Sequence, residues 1–361
     1  MSITPLQMNV IYNFTLKPKI DMKINPSFLI KMLSPMQVVI PKRHALYICT
    51  SVKLDSTGFT GTNLEQTVHI PYKNLPEICI DYREFIDTLK TLGNRIVEMQ
   101  VGENCEITFT TGDMSMQIVG QNPDDFPKIG EFKPGIKTTL PILTDFTPFA
   151  SKDEHKPAMN GIFVGKDICS TDAHRMKFEP NPYHKEGNPG IVLPLIVAQK
   201  FCNEIRTCEI NDKQEIAKIH LEYGYLQTRL IDDKFPDYQN VIPELTETIA
   251  KVSKQAIISG LQACLKYTNQ TTFKVRLSLT SDKMTISAED IDYAKEFSTN
   301  IPCEWNGESV MEFGFNAKFL IECLKDCKGN VIELNLTTPN RAGRINSNML
   351  IMPVMLSSYA E

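Results

Sequence analysis

The chain has 361 residues, 42% of them hydrophobic and 22% charged, which excludes a disordered or fibrous protein and leaves apolar surface for two or three cores. A formal net charge of −5 excludes a broadly basic nucleic-acid coat. Any contact with DNA must therefore rest on cations gathered on one face.

The apolar run Phe28-Leu29-Ile30 with Met32-Leu33, behind Asn25-Pro26-Ser27, predicts a short helix. Strands are expected around 46–48 and 52–54, with a turn at Asp55-Ser56-Thr57-Gly58. A helix over 81–92 has Asp81 placed as N-cap and Gly93 as C-cap. Period-two apolar positions then predict strands through Val97, Met99 and Val101, through Ile107 and Phe109, and through Met114, Met116 and Ile118. The order recurs with a helix over 142–150, strands over 159–164 and 168–178, a helix over 194–206 starting on a proline, and strands near 216–221 and 225–231. It recurs again with a helix over 253–267, a strand through Phe273, Val275, Leu277 and Leu279, a helix over 316–327, and strands over 331–336 and 349–356.

Two stretches mark the seams, Asp124-Asp125-Phe126-Pro127 and Asp232-Asp233-Lys234-Phe235-Pro236-Asp237-Tyr238, with their phenylalanines 109 positions apart. Paired aspartates favour a turn, proline drives the preceding residue into extended backbone, and the phenylalanine anchors it. A residue-level repeat supports the division, because Arg83-Glu84-Phe85-Ile86-Asp87-Thr88-Leu89-Lys90 parallels Lys318-Phe319-Leu320-Ile321-Glu322-Cys323-Leu324-Lys325 in charge and apolarity. The expected fold is α+β, with three repeats at 1–132, 133–243 and 244–361, each an antiparallel sheet plus two helices.

The ten cysteines form no CxxC pair, and Cys323 and Cys327 share one predicted helical stripe, so they read as core filling. No apolar run reaches the ~18 residues of a membrane span. No charged-then-apolar leader opens the chain, so a cytoplasmic protein with reduced thiols and no membrane is expected.

Four motifs in order carry a resemblance over essentially the whole length: Met159-Asn160-Gly161-Ile162; Thr171-Asp172-Ala173-His174-Arg175-Met176; the Asp-x-Phe-Pro-Asp-Tyr seam running to Pro243; and Met352-Pro353-Val354-Met355-Leu356. In these the chain resembles the bacterial sliding clamp, the β subunit of DNA polymerase III. The resemblance implies three DNA-clamp domains per subunit and a head-to-tail homodimer forming a ring around double-stranded DNA, held topologically and without sequence preference. It implies a processivity factor with no catalytic residues, no cofactor and no metal. Its partners would be the replicative DNA polymerase, the clamp loader and other clamp-binding-motif proteins.

The peptide pocket implied by the resemblance consists of Met159, Thr171, Ala173, His174, Arg175, Met176, Pro243, Met352, Pro353, Val354, Met355 and Leu356. Adaptable methionines, a proline wall and a few orienting polar groups suit peptide capture. Cations expected to face DNA are Lys31, Lys42, Arg43, Arg83, Lys90, Lys200, Arg206, Lys318 and Lys325, with Lys266 a further basic residue on a helix. The alternative for these helical cations is a solvated face with intrahelical pairs such as Arg83–Asp87. Ring closure is expected to use Ile107 and Phe109 against Leu265, Tyr267 and Phe273.

The chain departs from the family at Ala173, where glycine is usual, and at Met355, where a basic residue is common. The basic loop around 35–43 is rewritten, and Ser357–Glu361 form an extension able to cover the groove. Two other readings remain. One is a scaffold that keeps the fold but binds only proteins. The other is a metal-dependent hydrolase using Asp172, His174, Asp232 and Asp233, against which stands the absence of an HxxxH, GxSxG or glycine-rich phosphate motif; the one DxD, Asp290-Ile291-Asp292, reads as a turn.

Overall fold

The computed structural model describes residues 21–307 and 310–356. These fall into two units. Unit 1 takes the described residues up to Phe132 together with Lys218–Thr228, and unit 2 takes Lys133–Ala217 with the described residues from Arg229 onward.

Unit 1 is built on helices α1 (Pro26–Leu33), α2 (Met36–Val39) and α3 (Tyr82–Leu92). The Asn25 side chain caps α1 by accepting the Phe28 N–H at 3.0 Å, and Pro26 sits where no N–H is needed. In α3 the Asp81 carboxylate accepts the N–H groups of Arg83 and Glu84 at 3.0 and 3.1 Å, and Gly93 ends the helix at φ +69°. The α3 face at Tyr82, Phe85, Leu89 and Leu92 is buried, as its helical spacing requires. Phe85 lies 6.4 Å from Phe59 and 6.2 Å from Phe109, so one ring joins two sheets. Replacing Asp81 with alanine removes the cap and is expected to cost about 1 kcal/mol, read as a lower denaturation midpoint with unchanged slope.

The first of those sheets runs in the order Asp21–Ile24, Val97–Val101, Glu106–Thr111, Met114–Val119. The second runs Ile78–Asp81, Ser51–Asp55, Gly58–Thr62, Gln66–Pro71 and is extended by the returning segment, which pairs Tyr225 with His69 and Thr228 with Gln66.

In unit 2 a continuous run of twelve strands begins Ile191–Pro194, Gly161–Val164, Asp167–Thr171, Arg175–Pro180, Met349–Ile351 and ends Lys283–Asp290, Lys274–Leu279, Met311–Asn316. Helices α4 (Leu195–Phe201), α5 (Lys254–Cys264) and α6 (Ala317–Asp326) belong to this unit. The Asn316 side chain caps α6 as Asp81 caps α3, so Lys318 and Lys325 hold the same positions after the cap as Arg83 and Lys90. Both seam phenylalanines are buried: Phe126 is extended at φ −71° and ψ 136°, and Phe235 packs with Tyr238, Cys169, Met176, Val192 and Leu350.

Several expected boundaries are corrected. The expected helix over 142–150 is a 3-10 turn, Thr144–Phe149, with Pro148 inside it. Residues 133–243 therefore hold one α-helix where two were expected. The helix expected to reach 206 stops at Phe201, because Cys202 leaves helical backbone at φ −111° and ψ 39°. The strand expected over 168–178 is two strands joined by a tight turn, and the last strand ends at Ile351 rather than 356. All ten thiols are free, nine of them buried, and burial pushes those of Cys202, Cys208 and Cys323 up to about 12. Among the described residues no helix is long and apolar enough to cross a membrane.

Candidate functional site

The turn Thr171–Arg175 is assembled by its own polar side chains. Asp172 accepts the N–H groups of His174 and Arg175, both at 2.9 Å, while Thr171 Oγ1 accepts the Ala173 N–H at 3.1 Å and donates to the Arg175 carbonyl at 2.8 Å. This forces Ala173 to φ +75°, a conformation costing an alanine about 1–2 kcal/mol. The turn leads into Arg175–Pro180, whose Arg175, Met176 and Lys177 pair with Ile351, Leu350 and Met349. Beyond that ladder the Met352 N–H donates to the His174 carbonyl at 2.8 Å, and the Val354 N–H donates to the Gly314 carbonyl at 2.8 Å. A Cβ at residue 314 would lie 2.1 Å from the Val354 carbonyl oxygen, so only glycine admits this approach.

Helix α6 closes the site. The His174 ring stacks on Phe319 at 5.3 Å with an 18° interplanar angle. The Arg175 guanidinium lies 5.1 Å from the centre of the Phe319 ring and 5.4 Å from that of Phe149. It donates to Asp172 at 3.0 Å, to the Pro148 carbonyl at 2.8 Å and to Glu322. Burial alone would lower the pKa of Arg175, but the carboxylates of Asp172 and Glu322 outweigh it and hold it above the usual value.

The structure thus joins the Thr171–Met176 motif, the 352–356 run and α6 in one surface. Ala173, His174, Met352 and Met355 are exposed there, Met355 at 61%, and Pro353 and Val354 are half-buried. Four of the expected pocket residues, Thr171, Arg175, Met176 and Leu356, are buried, Met176 with Phe235 and Tyr238 and Leu356 beside Gly314. A charge at Leu356 would therefore damage folding rather than report on binding. Met159 and Pro243 have other partners: Met159 accepts from the Ser151 N–H at 2.9 Å, and the Pro243 carbonyl accepts from Arg344 at 3.2 Å. Sequence reasoning missed Gly314, Phe319 and Glu322 as parts of this surface. Phe319 and Glu322 lie inside the repeated helix motif, but nothing local tells which turn of sheet they meet. Ser357–Glu361 lie outside the described residues.

The expected DNA-facing cations divide. Lys42, Arg43, Arg83 and Lys200 are exposed. Lys31 reaches Glu222 at 3.3 Å and the Tyr223 hydroxyl at 3.0 Å, and these bonds raise its pKa. Lys90 pairs with Asp87 at 2.9 Å, an intrahelical pair of the kind the solvated-face alternative describes. Lys318 lies 3.3 Å over the Phe273 ring, and Lys325 and Lys266 are exposed. Arg206 is corrected from helix to strand, where it donates to the Phe201 carbonyl at 3.3 Å and pairs with Glu204.

For ring closure, Ile107 and Phe109 are corrected. Their strand lies between Val97–Val101 and Met114–Val119, so its backbone is paired on both sides, and both side chains are wholly buried. Among the described residues the two edge strands of this sheet are Asp21–Ile24 and Met114–Val119. In unit 2, Tyr267 stacks on Phe297 at 5.1 Å with Leu265 half-buried nearby in sequence, while Phe273 sits at φ +49° under Lys318. Among the described residues no group of three or more His, Cys, Asp or Glu side chains is placed to hold a metal. The Asp172 carboxylate is committed to its own turn and to Arg175.

Residues 239–351 match the family described as DNA polymerase III beta subunit, C-terminal domain. The beta sliding clamp of Chlamydia muridarum is 23% identical over 90% of this chain and 96% of its own length. That of Pseudomonas putida is 24% identical over 90% and 98%. Among solved structures, the Pseudomonas aeruginosa sliding clamp bound to griselimycin superposes with a TM-score of 0.81 at 18% identity, covering 93% of this chain and 99% of that one. The Thermotoga maritima DNA polymerase III beta subunit gives 0.80 at 19%, covering 93% and 100%.

Proposed function

We infer that this chain, a member of the bacterial sliding clamp family, is a DNA sliding clamp: a processivity factor that encircles duplex DNA and tethers the replicative polymerase, the clamp loader and other clamp-binding-motif proteins. The end-to-end match to named beta sliding clamps carries this reading. The chain is read as three clamp repeats, at 1–132, 133–243 and 244–361. The protein is read as a non-catalytic, cytoplasmic homodimer. Its partner groove is formed by Ala173, His174, Phe319, Met352, Pro353, Val354 and Met355, with Met159 and Pro243 at its margins. Head-to-tail closure is assigned to the edge strand Met114–Val119 of one copy and the Tyr267–Phe297 stack of the other. Exposed Arg83, Lys42, Arg43, Lys200 and Lys325 are assigned to phosphate contact.

One observation favours the second reading, a protein-binding scaffold without a ring. Lys31, Lys90 and Arg206 are each neutralised by a neighbouring carboxylate, which weakens direct DNA attraction. A topological ring needs little such attraction, so the experiment separates the two. After incubation with an active clamp loader at raised salt, the protein is expected to stay on circular plasmid and slide off the linearised form. Equal release from both leaves the scaffold and removes the ring. Equal retention on both means direct affinity.

A further inference from the structure

Strand Arg175–Pro180 presents two buried cations on one face, and their surroundings repeat. Arg175 meets Glu322, the Phe149 ring and the Pro148 carbonyl. Lys177 meets Asp326 at 2.6 Å, the Phe146 ring at 5.0 Å and the Asp145 carbonyl at 3.4 Å. Each cation thus takes one acid from α6, four residues apart, and one ring and one carbonyl from the 3-10 turn, three residues apart. The side chain of Lys177 is only 6% exposed, although on the sequence it reads as an ordinary surface position.

With the His174–Phe319 stack added, three residues of the turn and strand (174, 175 and 177) meet three of α6 (319, 322 and 326). On the helix these are i, i+3 and i+7, one face. The lengths agree: seven helical residues rise about 10.5 Å at 1.5 Å each, and three extended residues span about 10 Å. The helix is therefore fastened along the strand at both ends and in the middle. The core contacts of Leu320, Ile321, Cys323 and Leu324 hold the helix in place, and these three contacts fix how its outer face meets the strand.

We propose that the Lys177–Asp326 pair is the far pin of a three-point lock that sets the His174–Phe319 stack, and through it the affinity of the partner groove. Lys177 and Asp326 are positioning residues that touch no partner themselves. The inference rests on the groove being a peptide site. A buried, desolvated ion pair adds little net stability but helps to define register, because sliding α6 by one turn leaves one of the two buried cations without its acid from the helix.

The probe is a fluorescein-labelled peptide selected from a random display library for binding the full chain and for losing its binding to the Met355→Glu variant. Lys177→Met and Asp326→Asn are expected to weaken it roughly tenfold, the scale of one coupled contact. The His174 imidazole resonances, recorded well below the unfolding midpoint of every variant, should lose the ring-current shift imposed by Phe319. Lys177→Arg, which keeps the pair, should retain both. Wild-type affinity and wild-type His174 resonances in Lys177→Met and Asp326→Asn, even with a lowered melting temperature, would reduce the pair to a stability contact and overturn the proposal. If no library peptide depends on Met355, the groove reading fails instead, and the His174 resonances alone decide whether the pin sets the stack.

Discussion

Arg175→Met is expected to destabilise the fold by about 3 kcal/mol, the lower end of the range for breaking a buried ion pair. Methionine preserves the apolar contact with Phe149 and Phe319, so the loss isolates charge and hydrogen bonding. Asp172 keeps its two backbone N–H donors and remains partly satisfied. Glu322, with a side chain 51% exposed, can turn to water, which holds the cost below the top of that range. The Pro148 carbonyl loses a charged donor. Urea unfolding should show a lower midpoint at constant slope. A change under about 1 kcal/mol would mean that the guanidinium is solvated in solution and the turn is held by Asp172 and Thr171 alone.

Gly314→Val should cost about 3 kcal/mol, although valine favours strands and propensity alone predicts a gain. The added Cβ would meet a backbone oxygen, which cannot swing aside as a side chain tip would. The cheapest relief is to lift the 352–356 run off the strand, breaking the Val354–Gly314 hydrogen bond and uncovering Leu356. Cleavage by a nonspecific protease within that run should accelerate along with the stability loss. Gly314→Ala should reproduce most of the effect, because the clash is with Cβ itself. An alanine variant as stable as the parent would refute the close approach.

Local chemistry made the helices legible and tertiary chemistry set the limits. Asp81 with Gly93, and Asn316 before Ala317, announce their caps by residue type, and α3 and α6 fall within a residue or two of expectation. The segment 142–150 read as a helix, but Pro148 lies in its last turn, where it has no N–H for an α-helical bond, and the segment is a 3-10 turn. The strands Glu106–Thr111 and Met114–Val119 both alternate, and alternation reports which face is buried without reporting which strand is the edge. The pattern therefore offers Ile107 and Phe109 for an interface as readily as it offers Met114–Val119. In the groove, Thr171–Arg175 and Met352–Met355 were visible as motifs. Their supports were not, since Lys177 meets Asp326 across 149 positions and neither residue has a local reason to be buried.

The placement of Lys218–Thr228 in unit 1 bears on how the chain is made. A ribosome delivers the first 132 residues long before it delivers the strand that covers the Gln66–Pro71 edge. Throughout that interval the nascent unit shows an unpaired edge carrying Val68 and Ile70, the kind of surface that joins with neighbouring chains on a polysome. A gene truncated after Phe132 would fix the protein in that unfinished state. One that also supplies the 218–228 hairpin, through a short engineered linker, would restore the missing strand.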